Sequence, residues 1–138
     1  MMLHDYGPGR LFGSVHVEMP SDFDVLYSHD IIDNIERDVM AEFGILLSIH
    51  YDPVEVNNAR VNELKIIAES AVKRISEELS IHDFRVVDGP SHTNLIFDVV
   101  VPRKFSLSND DLMAEISSEI SKNGTNFFAV MNIEYAFV

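Results

Sequence analysis

Apolar and polar residues alternate from Leu11 to Met19, with Leu11, Gly13, Val15, Val17 and Met19 on one parity and Phe12, Ser14, His16 and Glu18 on the other. A period of two predicts a half-buried strand, which Pro20 stops. Met1–Tyr6 predicts a shorter strand before it, joined through a Gly7-Pro8-Gly9 turn. After Pro20 the period changes. Ser21 with Asp24 three residues on predicts a helix start, and Val25, Ile32, Ile35, Val39 and Phe43 form one helical stripe that Gly44 ends. Alternation returns with Ile45, Leu47, Ile49 and Tyr51 against Leu46, Ser48, His50 and Asp52, closed by Pro53. Residues 11–53 therefore read strand–helix–strand, and a crossover of that length predicts parallel, right-handed pairing.

Asn57 and Asn58 can cap a longer helix striped by Leu64, Ile67, Ala68, Ala71, Ile75 and Leu79. A strand is predicted at Asp83–Val87, a turn at Asp88-Gly89-Pro90, and a returning strand at Asn94–Val101 stopped by Pro102. Ser108 and Asp111 open a third helix, striped by Leu112, Ile116 and Ile120 and ended by Gly124. The last predicted strand is Phe127–Val138, with Phe127, Ala129, Met131, Ile133, Tyr135 and Phe137 on its apolar face.

The two parts repeat. Leu3-His4-Asp5-Tyr6 matches Ile81-His82-Asp83-Phe84, each followed by a Gly-Pro turn, and Val15–Pro20 matches Phe97–Pro102. Ile49–Val54 matches Ile133–Val138. The expected fold is α+β: a ferredoxin-like α-β sandwich of two tandem β-β-α-β repeats, residues 1–54 and 55–138, joined by a helix at Asn62–Leu79. That helix leads the second copy. The first copy has no leading helix and starts inside its first strand, which implies truncation with more protein upstream.

Composition narrows the function. Of 138 residues, 10 are Lys or Arg and 23 are Asp or Glu, a net charge of −13 with neutral histidine. Such a surface repels phosphate backbones and anionic headgroups and attracts cations, so nucleic acid is excluded as a partner. The chain has no cysteine, hence no disulfide, thiolate ligand or cysteine nucleophile. Its apolar runs are far short of the ~18 residues a spanning helix needs, and no secretory leader is recognisable. These features fit a soluble intracellular domain. Residues 1–54 are the more acidic part and carry four of the six histidines.

On a strand, residues two apart share a face. His16 therefore turns away from the apolar stripe of its strand, as His50 and Asp52 turn away from theirs. If the two strands are neighbours the three converge, and His29, on the flank of the first helical stripe, reaches the same region from an edge or from a partner chain. Two or three imidazoles with a carboxylate suit Zn²⁺ and, less selectively, Mn²⁺, Fe²⁺ or Co²⁺. The competing reading is that each is a solvated surface histidine, because no short ligand motif such as H-E-x-x-H is present. His4 and His82, each followed by Asp, suggest a structural turn or hairpin role, and His92 a loop. Gly7, Gly9 and Gly13 miss the dinucleotide fingerprint, and there is no P-loop or nucleophile elbow. Asn123-Gly124-Thr125 is a glycosylation sequon that reads more simply as a helix-ending turn.

Val15-His16-Val17-Glu18, Ser28-His29-Asp30-Ile31-Ile32-Asp33 and Ile49-His50-Tyr51-Asp52-Pro53 together resemble the cytoplasmic C-terminal domain of cation diffusion facilitator (cation efflux) transporters. Members of that family carry a strand with V-H-x-E, a helix with S/A-H-x-x-x-D and a strand ending I-H-x-D-P. The resemblance implies a metallochaperone-like, ferredoxin-related fold, a homodimer and Zn²⁺ or a related ion near the dimer interface. It further implies the ligands His16, His29, His50 and Asp52, a membrane domain upstream, a cytoplasmic location and no enzymatic activity. The second repeat resembles the same domain but places Asp98, Glu134 and Ala136 where the first has His16, His50 and Asp52, so it is expected to be degenerate. A rival reading is a ferredoxin-like sensor of a small molecule, or an assembly module, with incidental histidines. A metal-dependent hydrolase would need a general base, for which Glu18 is the only candidate.

Overall fold

The structure, a computed structural model, describes residues 1–137 and divides into two compact units, Met1–Val54 and a second beginning at Glu55. In the first unit β1 (Met2–Asp5) pairs antiparallel with β2 (Leu11–Pro20). Helix α1 (Val25–Phe43) then carries the chain to β3 (Ile45–Val54), which lies parallel to β2 from Leu11 opposite Ile45 to Pro20 opposite Val54. The sheet order is β1-β2-β3. The predicted crossover is thus observed, and β3 runs one residue past Pro53 because an edge strand can dispense with that residue's N–H.

The start of α1 differs from the sequence expectation. Asp24 is the N-cap and accepts from the Tyr27 N–H at 3.0 Å, while the Ser21 N–H is taken by the Val54 carbonyl at 2.8 Å. A carboxylate one residue before the helix satisfies an orphan donor directly, so Ser21 is left to the turn. The C-terminus follows expectation: Gly44 adopts φ +68° and its N–H bonds to the Met40 carbonyl, a conformation that favours a residue without Cβ.

The second unit consists of α2 (Asn58–Ile75), β4 (Ser80–Asp88), β5 (Thr93–Val101), α3 (Asn109–Ser121) and β6 (Phe127–Tyr135). Its sheet repeats the first, in order β4-β5-β6 with an antiparallel and then a parallel pair. The linking helix lies earlier than Asn62–Leu79. Asn57 caps it by accepting from Ala59 and Arg60, and Ser76 closes it. Leu79 is fully buried all the same, from the turn that follows. The last strand stops at Tyr135 because its partner β5 stops before Pro102, which has no N–H to continue a ladder. Tyr135 and Phe137 are consequently exposed instead of joining the apolar face. Val138, the expected strand end, lies outside the described residues.

The units differ most in their cores. In the second, Leu64, Ala68, Ala71 and Val72 of α2 and Leu112, Ile116 and Ile120 of α3 close over Val86, Leu95, Phe97, Val99 and Val101 of the sheet. Each of the buried leucine, isoleucine, valine and phenylalanine side chains contributes about 1.5–3 kcal/mol by leaving water. In the first unit only Met19 and Ile32 are buried among the apolar side chains, with Ser28 beside them on α1. Val25, Ile35 and Phe43 of the expected stripe remain exposed. One helix cannot cover a three-stranded sheet, and the inward row of α1 runs through Ser28, Ile32 and Val39 instead.

Candidate metal centre

The β2–β3 ladder places His16 directly opposite His50 and Glu18 directly opposite Asp52. All four share the parity that faces away from the buried Gly13 and Met19. A residue row on a parallel pair brings opposite side chains close enough to touch. The two imidazole centroids are 4.8 Å apart, with the ring planes 52° from one another.

Asp52 bridges the pair. One carboxylate oxygen, Oδ2, lies 3.2 Å from His16 Nδ1 and the other, Oδ1, lies 3.2 Å from His50 Nε2. The imidazole side chains are 74% and 68% exposed and the carboxylate 26%, so a partly covered acid lies between two exposed rings. The His16 contact has hydrogen-bond geometry, and the His50 contact is an ion-pair distance.

The donor atoms of His16, His50 and Asp52 all lie within 4.8 Å of one another. A tetrahedral ion with bonds of about 2.0–2.1 Å holds its donors about 3.3 Å apart. The gathered set thus exceeds that spacing by a distance that turning exposed side chains can close. Two imidazoles and a carboxylate are the donors that suit Zn²⁺ and its neighbours in the first transition row. Among the described residues this is the one group of three such donors.

Local structure holds the row in place. β3 is an edge strand, and its outward Ile49 N–H, next to His50, is taken by Glu36 Oε1 of α1 at 2.7 Å. Helix and strand are thereby locked in register one residue from a candidate ligand.

Other expected residues stand apart. His29 is exposed on α1 and is not part of the gathered set. His4 stacks on Tyr6 with centroids 6.2 Å apart. His92 is held in its turn, with Nδ1 3.0 Å from the Ser91 hydroxyl and its ring edge-on to Phe128.

The ladders also correct the matching of the repeats. Both parallel pairs have the same offset, so with His16 aligned to Asp98 the counterpart of His50 is Asn132 and that of Asp52 is Glu134. The expected assignment to Glu134 and Ala136 was two residues out. His4 and His82 are not counterparts either: His4 lies opposite Phe12, whereas His82 lies opposite Asp98. His4 corresponds instead to Val87, opposite Asn94, and His82 lies in the earlier part of the longer β4, before a bulge at Asp83 (φ +51°) that shifts the register by one further residue.

The likeness to a known family falls within the first unit. Residues 3–54 match the family model for the cation efflux protein, cytoplasmic domain. The match ends with β3 and includes His16, His29, His50 and Asp52. The cation efflux cytoplasmic domain belongs to transporters and is not a catalytic family. No curated protein and no solved structure matches the chain. Among the described residues no helix is long and apolar enough to cross a membrane.

Proposed function

We propose that the first unit is a regulatory and dimerisation domain of a divalent-cation efflux transporter that senses Zn²⁺, or a related transition-metal ion, through His16, His50 and Asp52. The observation that carries this reading is the convergence of two imidazoles and a carboxylate, within 4.8 Å, in the segment that matches a cation efflux domain. His29 of a second copy is the proposed fourth donor, in a homodimer on the cytoplasmic side of a membrane-embedded transporter.

The logic is one of linkage. A metal held jointly by two copies binds the paired arrangement more tightly than the separated one, and can shift that equilibrium only by the difference in affinity. The thin core of this unit leaves it dependent on such outside stabilisation.

Calorimetric titration with Zn²⁺ tests the site, and sedimentation at the same concentrations tests its coupling to dimerisation. Saturable binding that is lost in the His16→Ala, His50→Ala double variant is expected, together with metal-dependent dimers that His29→Ala weakens. Absence of Zn²⁺ binding, or binding unchanged in the double variant, refutes the site.

A further inference from the structure

Independently of the metal site, the sheet edges are protected unequally. In a parallel pair, alternate residues of a strand turn N–H and C=O to the neighbour, and the residues between turn both outward. The Ser21 N–H bonds to the Val54 carbonyl, so even-numbered residues of β3 face β2, and Leu47, Ile49, Tyr51 and Pro53 form its outward row. Glu36 occupies the Ile49 N–H, and Pro53 has no N–H to offer. An open row is a template for another strand, and such obstacles close it. On β4 the obstacles are the bulge between His82 and Arg85, the charges of Asp83 and Arg85, and the Glu55 N–H on the Val86 carbonyl at 2.7 Å.

Strand β6 carries no such device. The Thr93 N–H bonds to the Asn126 carbonyl and the Ala136 N–H to that of Val101, so even-numbered residues face β5, and Ala129, Met131, Ile133 and Tyr135 turn outward. By the offset that aligns His16 with Asp98, Met131 stands in the place of Ile49 and Tyr135 in the place of Pro53. Counted from the N-caps Asp24 and Ser108, the place of Glu36 falls to Ile120, which is fully buried in the core. Among the described residues no side chain accepts from the outward N–H groups of Ala129, Met131 or Ile133. Charge does not obstruct the strand either, since Glu134 is the one charged residue from Phe127 to Tyr135. Phe128 and Val130 are 54% and 48% exposed, and Phe127, Ala129, Met131 and Ile133 are only partly buried against the core.

We propose that β6 pairs antiparallel with β6 of a second copy, about a two-fold axis at Met131, and joins two three-stranded sheets into one. The strand is complementary to itself. Two-fold pairing sets outward row against outward row, with Ala129 opposite Ile133 of the second copy, Phe127 opposite Tyr135, and Glu134 opposite Phe128 instead of another acid. A chain of net charge −13 repels its own copies over most of its surface, and this nearly uncharged strand is where that repulsion is least. Pairing would also cover the core side chains that β6 leaves partly open. The contact lies outside the residues that match the cation efflux domain and requires no ion.

The test is sedimentation equilibrium of the full chain in EDTA, at chain concentrations up to about 1 mM because a one-strand contact falls at the small, weak end of interfaces. The expected result is a reversible monomer–dimer equilibrium. It should weaken at least tenfold in Ala129→Pro, which removes an outward N–H as Pro53 does in β3 and which an edge strand tolerates. The same loss is expected in Val130→Lys, which sets two lysines near the axis. Circular dichroism verifies that both variants fold, and Val130→Lys should leave Zn²⁺ binding unchanged. Amide hydrogen exchange supplies a second readout: exchange at Ala129, Met131 and Ile133 should slow as the chain is concentrated, while Val130 and Asn132, bonded to β5, stay protected throughout. A monomer at every concentration overturns the proposal, as does a dimer indifferent to both substitutions or exchange at the outward amides that does not depend on concentration. A dimer that forms only with Zn²⁺ and that His29→Ala weakens belongs to the metal site and overturns the edge contact.

Discussion

Replacing Asp52 by Ala separates its two roles. In the protein without metal its carboxylate lies 3.2 Å from one ring nitrogen of each imidazole, contacts between largely exposed rings and a partly covered acid. Exposed pairs of this kind contribute about 0.2–1 kcal/mol. Truncation should therefore cost the apo protein no more than about 1–2 kcal/mol. With metal present the same truncation removes one of three gathered donors. A ligand at 100 times its Kd stabilises the folded state by about 2.7 kcal/mol, and for a unit of this size each kcal/mol moves Tm by roughly 4–8 °C. The first unit should accordingly melt on the order of 10–20 °C higher in saturating Zn²⁺ than in EDTA, and Asp52→Ala should abolish most of that increment. Scanning calorimetry with and without Zn²⁺ and EDTA measures both quantities. A Zn²⁺-induced rise that is as large in Asp52→Ala as in the parent protein refutes the reasoning.

The remaining predictions concern the scaffold. Leu95→Ala, at a fully buried position among α2 and α3, should destabilise the second unit by about 2–5 kcal/mol, read from urea unfolding. Gly44→Ala forces a Cβ into the left-handed C-cap at φ +68° and should cost about 1 kcal/mol, measured the same way with the first unit's signal. Burial pushes the Asp88 carboxyl up, yet hydrogen bonds from the Thr93 hydroxyl and Arg60, with the Arg60 charge, outweigh it and hold the pKa below the usual carboxylate value. A depressed folded pKa contributes stability that is present above the unfolded value, near about 4, and is lost as pH falls through the folded one. Asp88→Asn should thus flatten the acid limb of the second unit's stability curve, which melts between pH 5 and 2 would reveal. Because protons compete with the ion for imidazole nitrogen, Zn²⁺ affinity should fall as the buffer is taken from about pH 7.5 to 5.5, as calorimetric titration at each pH would show.

Periodicity in the chain was sufficient for the elements, the parallel crossover and the facing of the site residues. Alternation with period two fixes which side of a sheet a residue occupies, so His16, His50 and Asp52 were already on one face. It does not fix the register along the ladder. A slip of two residues would preserve every facing and set His16 against Ser48 or Asp52, and only the folded sheet decides that it meets His50. The same blindness explains the false pairing of His4 with His82: His4 lies opposite Phe12 and so corresponds to Val87, while His82 lies in the earlier stretch of the longer β4, beyond the counterpart of β1, and residue spacing does not reveal where a strand begins to pair. His29 shows the limit from the other side. Its motif is legible, but the single chain leaves it exposed on α1, outside the gathered donors.

Burial was the least legible property. The stripe of α1 reads as a core face, and Val25, Ile35 and Phe43 are nonetheless exposed, because amphipathicity records a surface that wants covering and not what covers it. Local rules of period, capping and turn chemistry act over a few residues and can be read from the chain. Register and ligand convergence depend on distances between segments remote in sequence, and these are set by packing alone.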